Sequence, residues 1–333
     1  MRKLASATVA ALFTCVGLAQ AAEPLKIRMA WIVPASNIAS ILFAKPALAK
    51  HLGKSYVMEP VRFQGSPPMI TALAVDDVDI ALLGYSSISL AVQNAGLGDL
   101  RIIADEFQDG VGDYYSNEFF VRNDSGIKAV ADLKGKVIGT NAAGSAVDIG
   151  ARAMLRGAHL EDRRDYTVIE GSFPAMKALL AEKKVDMIPS VVPFSNDAAL
   201  RNVAHVLFTQ KDAMGPSSLG IWVVRKAFLE KNRAALVDFL EDSLVETRWY
   251  LDPANHAEAV QIAANFAKSP PALFESWLFT KKDYFRDPNL LPNVEEIQSN
   301  VDMMRKLGLV TSQLDVKQYV DVSLVKEAAV RLK

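Results

Sequence analysis

The chain has one cysteine, four histidines and no excess of either charge. A lone cysteine closes no internal disulfide, and His51, His159, His205 and His256 fall at no metal-ligand spacing, so neither a disulfide scaffold nor a metal centre is expected. The 37 basic residues against 38 acidic ones exclude a strongly basic nucleic-acid binder and an acidic disordered tail. Beyond the N-terminus no stretch reaches the roughly 18 consecutive apolar residues that a membrane-spanning helix needs. What is present suits a globular protein with a real core: 333 residues, 50% hydrophobic and 23% charged, enough for about two domains.

The N-terminus reads as a secretory signal peptide over residues 1–21. Arg2 and Lys3 precede an apolar run from Leu4 to Leu18, and Ala19-Gln20-Ala21 supplies small residues at alternate positions. Cleavage after Ala21 removes Arg2, Lys3 and Cys15, leaving a cysteine-free chain whose net charge falls from −1 to −3. Cys15 has poor context for a lipid anchor, with Thr14 before it and Val16, Gly17 and Leu18 after it. A soluble periplasmic protein, suited to the uptake or sensing jobs of that compartment, is the expectation.

The body alternates strands and helices. Strands are expected at Leu25–Trp31, Tyr56–Phe63, Val78–Leu83, Phe119–Arg122, Val137–Thr140, Tyr166–Ile169 and Leu219–Val224. Helices are expected at Asn37–Leu52, Pro67–Val75 and Ser145–Arg156, with another starting at Ser86-Ser87 and a helical turn at Lys128–Leu133. The segment Pro67–Asp79 returns 107 residues later as Pro174–Asp186, with Pro67, Met69, Leu73, Ala74, Val78 and Asp79 repeated identically. The chain therefore builds one unit twice: an α/β protein of two lobes, each a mostly parallel sheet flanked by helices. Two glycine-bearing linkers, Asp109–Asp113 and Met214–Ser218, bracket the second unit and serve as hinge crossovers. The division is 22–115 for the first part of lobe I, 116–215 for lobe II and 216–333 for the helical remainder of lobe I. In that remainder Leu236, Leu240, Leu244 and Leu251 form an apolar stripe, with Asp238, Glu241, Asp242 and Glu246 directed away from it.

In open α/β sheets ligands sit beyond the carboxyl ends of strands, where loops enter helices. The loops Pro34–Asn37, Gly65-Ser66, Tyr85–Ser87 and Asn141–Ser145 offer backbone N–H groups and small polar side chains there. A helix N-terminus carries roughly half a positive charge and holds a carboxylate, sulfonate or phosphate without a lysine. Ordinary capping explains any one of these serines equally well. Tyr115, Phe173, Phe194 and Trp222 are candidate apolar walls, and Arg62 and Arg122 are weaker charged candidates.

Three stretches carry a family resemblance: Leu73–Gly84 (Leu-Ala-Val-Asp-Asp-Val-Asp-Ile-Ala-Leu-Leu-Gly), Ala131–Gly139 (Ala-Asp-Leu-Lys-Gly-Lys-Val-Ile-Gly) and Val223–Asn232. The chain resembles periplasmic solute-binding proteins of ABC importers, of the nitrate, sulfonate and taurine type, which share a fold with thiamine-pyrimidine precursor proteins. The resemblance implies the two-lobed, type II-like binding-protein fold, a closing cleft, delivery to a membrane permease and no cofactor. It places Ser36, Asn37, Gly65, Ser66, Tyr85, Ser86, Gly144, Ser145 and Phe194 at ligand-contacting positions; Tyr115 and Asn141 join them from the loop reading. Val33-Pro34-Ala35-Ser36 and Ser190–Phe194 depart from the loops common in relatives, so ligand identity does not carry over.

The expected function is capture of a small organic anion, a sulfonate or carboxylate with an aromatic or alkyl body among the options, by a monomer that makes and breaks no covalent bond. The alternatives are a same-fold enzyme of pyrimidine synthesis or small-acid elimination, and the ligand-binding subunit of a membrane sensor. A slightly acidic surface gives an anion no long-range attraction, so its charge has to be met inside the cleft.

Overall fold

The computed structural model describes residues 23–333, so the expected signal peptide and Cys15 lie outside the described residues. The chain begins with β1 (Leu25–Trp31), β2 (Tyr56–Arg62), α1 (Ser66–Ala74), β3 (Ala81–Leu83), α2 (Tyr85–Ala95) and the long β4 (Leu100–Asp109). It then crosses to β5 (Glu118–Arg122), β6 (Lys136–Thr140), α3 (Ala146–Gly157), β7 (Tyr166–Glu170), α4 (Phe173–Ala181) and β8 (Met187–Ser190). After α5 (Ala198–Val203), β9 (Ala204–Thr209) and α6 (Gln210–Met214) it returns as β10 (Ser217–Arg225). A helical remainder follows: α7 (Lys226–Lys231), α8 (Arg233–Leu251), α9 (His256–Ala267), α10 (Val294–Lys306) and α11 (Ser323–Arg331).

The two lobes repeat one topology. Lobe II is a single sheet in the order β7-β6-β8-β5-β9. In lobe I, β1 pairs in parallel with β2, β10 lies between β3 and β4, and a parallel bridge from Met29 to Ile80 joins the two groups. Each sheet is mostly parallel with one reversed strand, since β5 and β10 run antiparallel to both neighbours. Both are the strands by which the chain arrives from the other lobe, so they enter from the cleft side against the direction of the rest.

The 107-residue repeat has a structural cause. Helices α1 and α4 start and stop at the same repeat positions, and each ends in a left-handed residue, Asp76 (φ 56°) and Lys183 (φ 60°). The next residue closes the turn, with Asp77 N–H donating to Ala72 O (2.8 Å) and Lys184 N–H to Leu179 O (3.0 Å). The repeated aspartates then tie strands together: Asp79 accepts from Arg28 N–H (2.7 Å) and Asp186 from Val137 N–H (2.9 Å). Asp79 also receives the Arg28 guanidinium at 2.7 and 2.9 Å, while Arg122 is spent on Leu180 O, Val185 O and Asp124.

Alternating side chains divide lobe II into two cores, with Phe119 and Val121 on one face of β5 and Phe120 on the other. Lobe I has one larger core that includes Trp222, Phe239, Trp277 and the helical remainder.

Two expectations about lobe I are overturned. Asn37–Leu52 is not a helix: only a short 3-10 turn, Ile38–Ser40, forms, and turns follow. Pro46 removes a helical donor and clashes with the preceding turn, and α8 supplies partners for an irregular path instead. Asp242 accepts from His51 N–H (3.0 Å) and Tyr56 Oη–H (2.8 Å), and Tyr250 donates to Ile41 O (2.7 Å). The acidic face of α8 is consequently covered, and Glu241, Asp242 and Glu246 are buried rather than directed to solvent. Lys50 pairs with Glu241, and His51 Nε2 lies 3.2 Å from it, whereas burial pushes the Glu246 carboxyl up to about 8.

Candidate functional site

The crossovers run side by side. Asp109 faces Ser217 at the end of the lobe I sheet, and Glu118 faces Thr209 at the start of the lobe II sheet. Between these pairs Gln210 N–H donates to Asn117 O (2.8 Å) and Lys211 N–H to Ser116 Oγ (2.9 Å). Gly110 and Gly215 take positive φ (69° and 70°), a freedom that side-chain-bearing residues rarely have.

Beyond the crossovers the lobes touch through small residues. Ser86 donates to Gly144 O (3.1 Å), Gln64 Nε2 to Asn141 O (2.9 Å) and Asn141 Nδ2 to Gln64 O (3.3 Å). Tyr85 Oη lies 3.5 Å from Ala146 O and 3.2 Å from Gln210 Nε2, and burial pushes its phenol far up. The approach is close enough that a Cβ on Gly65 would lie 2.8 Å from Asn141 Nδ2 and 3.0 Å from Ala142 Cβ.

Behind these contacts is a cavity walled by both lobes. Ser36, Asn37, Ser66 and Phe107 line it from lobe I, and Asn141, Ser145, Val147 and Phe173 from lobe II. Asn117 comes from the first crossover and Tyr284 from the irregular chain before α10. None of its lining side chains carries a formal charge.

Local folding decides which polar atoms stay free. Asn37 Oδ1 accepts from Ile32 N–H (2.9 Å) and Val33 N–H (2.7 Å), which closes the loop after β1 and orients the amide. Asn117 Oδ1 is taken by Tyr284 Oη (2.5 Å). The Nδ2 donors of both asparagines, and the Ser36 hydroxyl, have no protein partner among the described residues. At the start of α3, Ser145 Oγ accepts from Asp148 N–H (3.3 Å) and donates to Asn141 Oδ1 (2.7 Å). Asp148 in turn accepts from Gly144 N–H (2.8 Å), and the N–H groups of Ala146 and Val147 are left without an acceptor among the described residues. The wall thus spends its acceptors internally and presents donors.

Carboxyl groups stand behind the wall. Asp109 accepts from Ser116 Oγ (2.6 Å) and Asn117 N–H (2.7 Å), and burial pushes it up to about 7. Glu106, also pushed up to about 7 by burial, accepts from Trp222 Nε1 (2.8 Å) and faces the Ile38 and Ala39 N–H groups. Arg286 favours the charged form of Glu106 from beneath the Ser36 loop, donating to Ser36 O (2.7 Å) and pairing with Asp283 (2.8 Å).

The sequence-derived candidates separate into three groups. Ser36, Asn37, Ser66, Asn141 and Ser145 meet on the cavity wall. Gly65, Tyr85, Ser86 and Gly144 lie in the contact between lobes. Tyr115 stands behind Tyr284 and donates to Ser195 Oγ (2.7 Å), and Phe194 lies farther out along the cleft. Trp222, weighed as a cleft wall, is fully buried in the lobe I core. Phe107, Asn117 and Tyr284 were not among the candidates, and no spacing or capping pattern in the sequence marks them.

Two mixed-sheet lobes, two adjacent crossovers and a cavity between them define the class: the two-lobed fold of periplasmic binding proteins. The chain belongs to the NMT1-like family, whose model matches residues 20–264. A similar solved structure is the periplasmic aliphatic sulphonate binding protein SsuA from Escherichia coli, with 20% identity and a TM-score of 0.67 over 90% of this chain and 92% of that one. The periplasmic nitrate-binding protein NrtA from Synechocystis PCC 6803 matches with 16% identity and a TM-score of 0.73 over 93% and 90%. The desulfurization enzyme DSZB shares the fold too, at 14% identity and a TM-score of 0.62 over 93% and 100%. No helix among the described residues is long and apolar enough to cross a membrane.

Proposed function

We propose that this protein is a periplasmic substrate-binding protein that closes its lobes around a small organic anion, a sulfonate or carboxylate, and delivers it to an ABC importer. The observation that carries this reading is the sign of the cavity's free polar groups. Asn37 Nδ2, Asn117 Nδ2, the Ser36 hydroxyl and the first N–H groups of α3 can all donate, and the asparagine oxygens are already used. An oxyanion satisfies such a set, and the α3 N-terminus adds favourable charge where no lysine or arginine stands. An ammonium ligand would find only the wall's hydroxyl oxygens as free side-chain acceptors.

Binding without turnover suits the same wall. Its only group with an acid–base function beyond serine and asparagine is the Tyr284 phenol, which burial drives far up and Asn117 holds. The ligand's contribution is to touch both lobes at once and so favour the closed arrangement.

Titration calorimetry against a panel of sulfonates, carboxylates, nitrate and amines tests the reading. Micromolar or tighter binding of an oxyanion is expected; tight binding of an amine with none for any anion refutes it. Cross-linking in membranes that carry the candidate permease tests delivery, and capture of a sensor kinase in its place would redirect it.

A further inference from the structure

The inner cavity does not end at the lobe contact. Val33 and Phe173 line both it and a narrow neck, whose wall continues through Pro34, Arg62, Pro174 and Phe194. Those four residues and Val33 also line a larger outer chamber, open to solvent in part. Its far wall is the end of α9 and the chain after it, including Ala267, Leu273 and Phe274, and it faces Pro193 and Phe194 of lobe II. The three spaces form one passage between the lobes.

The outer chamber differs in chemistry from the inner one. Much of its wall is apolar, and Leu273 is 51% exposed on it. Arg62 stands where neck meets chamber, its guanidinium 5.6 Å from the centre of the Trp31 ring. Its one hydrogen bond is a long one to Ile32 O (3.4 Å), and no carboxylate pairs with it among the described residues. Asp197, the chamber's acidic group, is already paired with Lys177 (2.5 Å) and caps α5. The outer chamber therefore offers an apolar surface and one uncommitted cation.

From this passage we infer that the ligand is elongated and carries two anionic ends: a head in the inner cavity, an apolar aryl or alkyl body through the neck, and a second anionic group at Arg62. The inference rests on the anion reading above and specifies its substrate class. An apolar body bridging Phe194 and Leu273 also ties lobe II to the helical part of lobe I, adding to closure at a second place.

The test is calorimetric titration of the protein with two series of increasing chain length, straight-chain alkanesulfonates and ω-sulfocarboxylates, each also against Arg62→Gln and Leu273→Asp. Affinity in the sulfocarboxylate series is expected to rise at least tenfold beyond a threshold length. Arg62→Gln should abolish that rise yet leave methanesulfonate and ethanesulfonate binding unchanged. Leu273→Asp should weaken the long members of both series and spare the short ones. Flat affinity with length, or equal weakening of short and long ligands by Arg62→Gln, overturns the inference while leaving the anion reading standing. Failure of every member of both series to bind overturns both.

Discussion

Gly65→Ala separates closure of the lobes from stability of either lobe. Gly65 has an extended backbone (φ −170°) that alanine adopts freely, so the substitution stores no backbone strain. The added Cβ would instead meet Asn141 Nδ2 at 2.8 Å and Ala142 Cβ at 3.0 Å, both across the cleft. Asn141 can swing aside at the expense of its bond to Gln64 O, but Ala142 Cβ is fixed to backbone and has to shift with it. Overpacking of this kind costs about 1–2 kcal/mol, which falls on the closed state alone and weakens ligand binding about 5- to 30-fold. Gly65 also precedes α1, where alanine caps less well by a few tenths of a kcal/mol to about 1 kcal/mol. That smaller effect registers in the melting temperature of the ligand-free protein and can be subtracted. Gly98→Ala is the control, since nothing lies within 4 Å of its Cβ. Calorimetry with the tightest-binding anion of the panel gives the affinity, and small-angle scattering with saturating ligand gives the degree of closure. Unchanged affinity together with unchanged scattering would refute the claim that this contact belongs to the binding-competent state.

Four further outcomes follow from buried polar groups. Burial raises Glu106 from its ordinary 4.5 to about 7, so the folded state holds a proton that the unfolded state releases earlier; stability should decline as pH rises between these values, and urea midpoints for Glu106→Gln should decline less. Asp109, pushed up to about 7 beside the cavity, should be pushed higher by a bound anion; binding should then tighten from pH 8 to pH 6 with proton uptake, seen as a dependence of calorimetric enthalpy on buffer, and Asp109→Asn should remove both. Asp79→Ala frees the Arg28 N–H and guanidinium and should lower unfolding free energy by about 2–3 kcal/mol, whereas Ser36→Ala should leave stability unchanged and weaken anion binding about fivefold. A Ser36→Ala variant with full affinity would show that the hydroxyl faces no ligand.

Where local chemistry decides the structure, it was legible. The repeated proline, Leu-Ala and Val-Asp pairs announce two copies of one unit, because each copy must start a helix, end it at the same place and anchor a strand with an aspartate. Ser36, Asn37, Ser66, Asn141 and Ser145 were legible as cavity residues for a related reason: they stand at strand ends in a sheet whose order the alternation already implies. Helix-forming residues after Asn37 misled, since Pro46 and the carboxylate of Asp242, almost two hundred residues away, select turns there. The acidic residues of α8 misled in the opposite way: their periodicity describes an exposed face, but that irregular segment covers it. Tyr284 and Asn117 reach the cavity only because distant parts of the chain meet there, and neither stands in a pattern of its own.

The paired crossovers restrict how the molecule can move. A single flexible tether would let one lobe swing, twist and slide over the other. Here two tethers lie side by side, pinned at both ends by the Asp109–Ser217 and Glu118–Thr209 pairs and cross-linked between them by Gln210 and Lys211. Twisting or sliding would stretch one tether relative to the other and break those links, whereas bending across the pair loads both alike. Of the relative motions open to two rigid bodies, the crossovers leave one soft, and it is the one that brings Ser86 to Gly144 and Gln64 to Asn141. On the proposed reading as a binding protein, the search between open and closed is thereby reduced to a single coordinate, and a ligand needs to bias only that one.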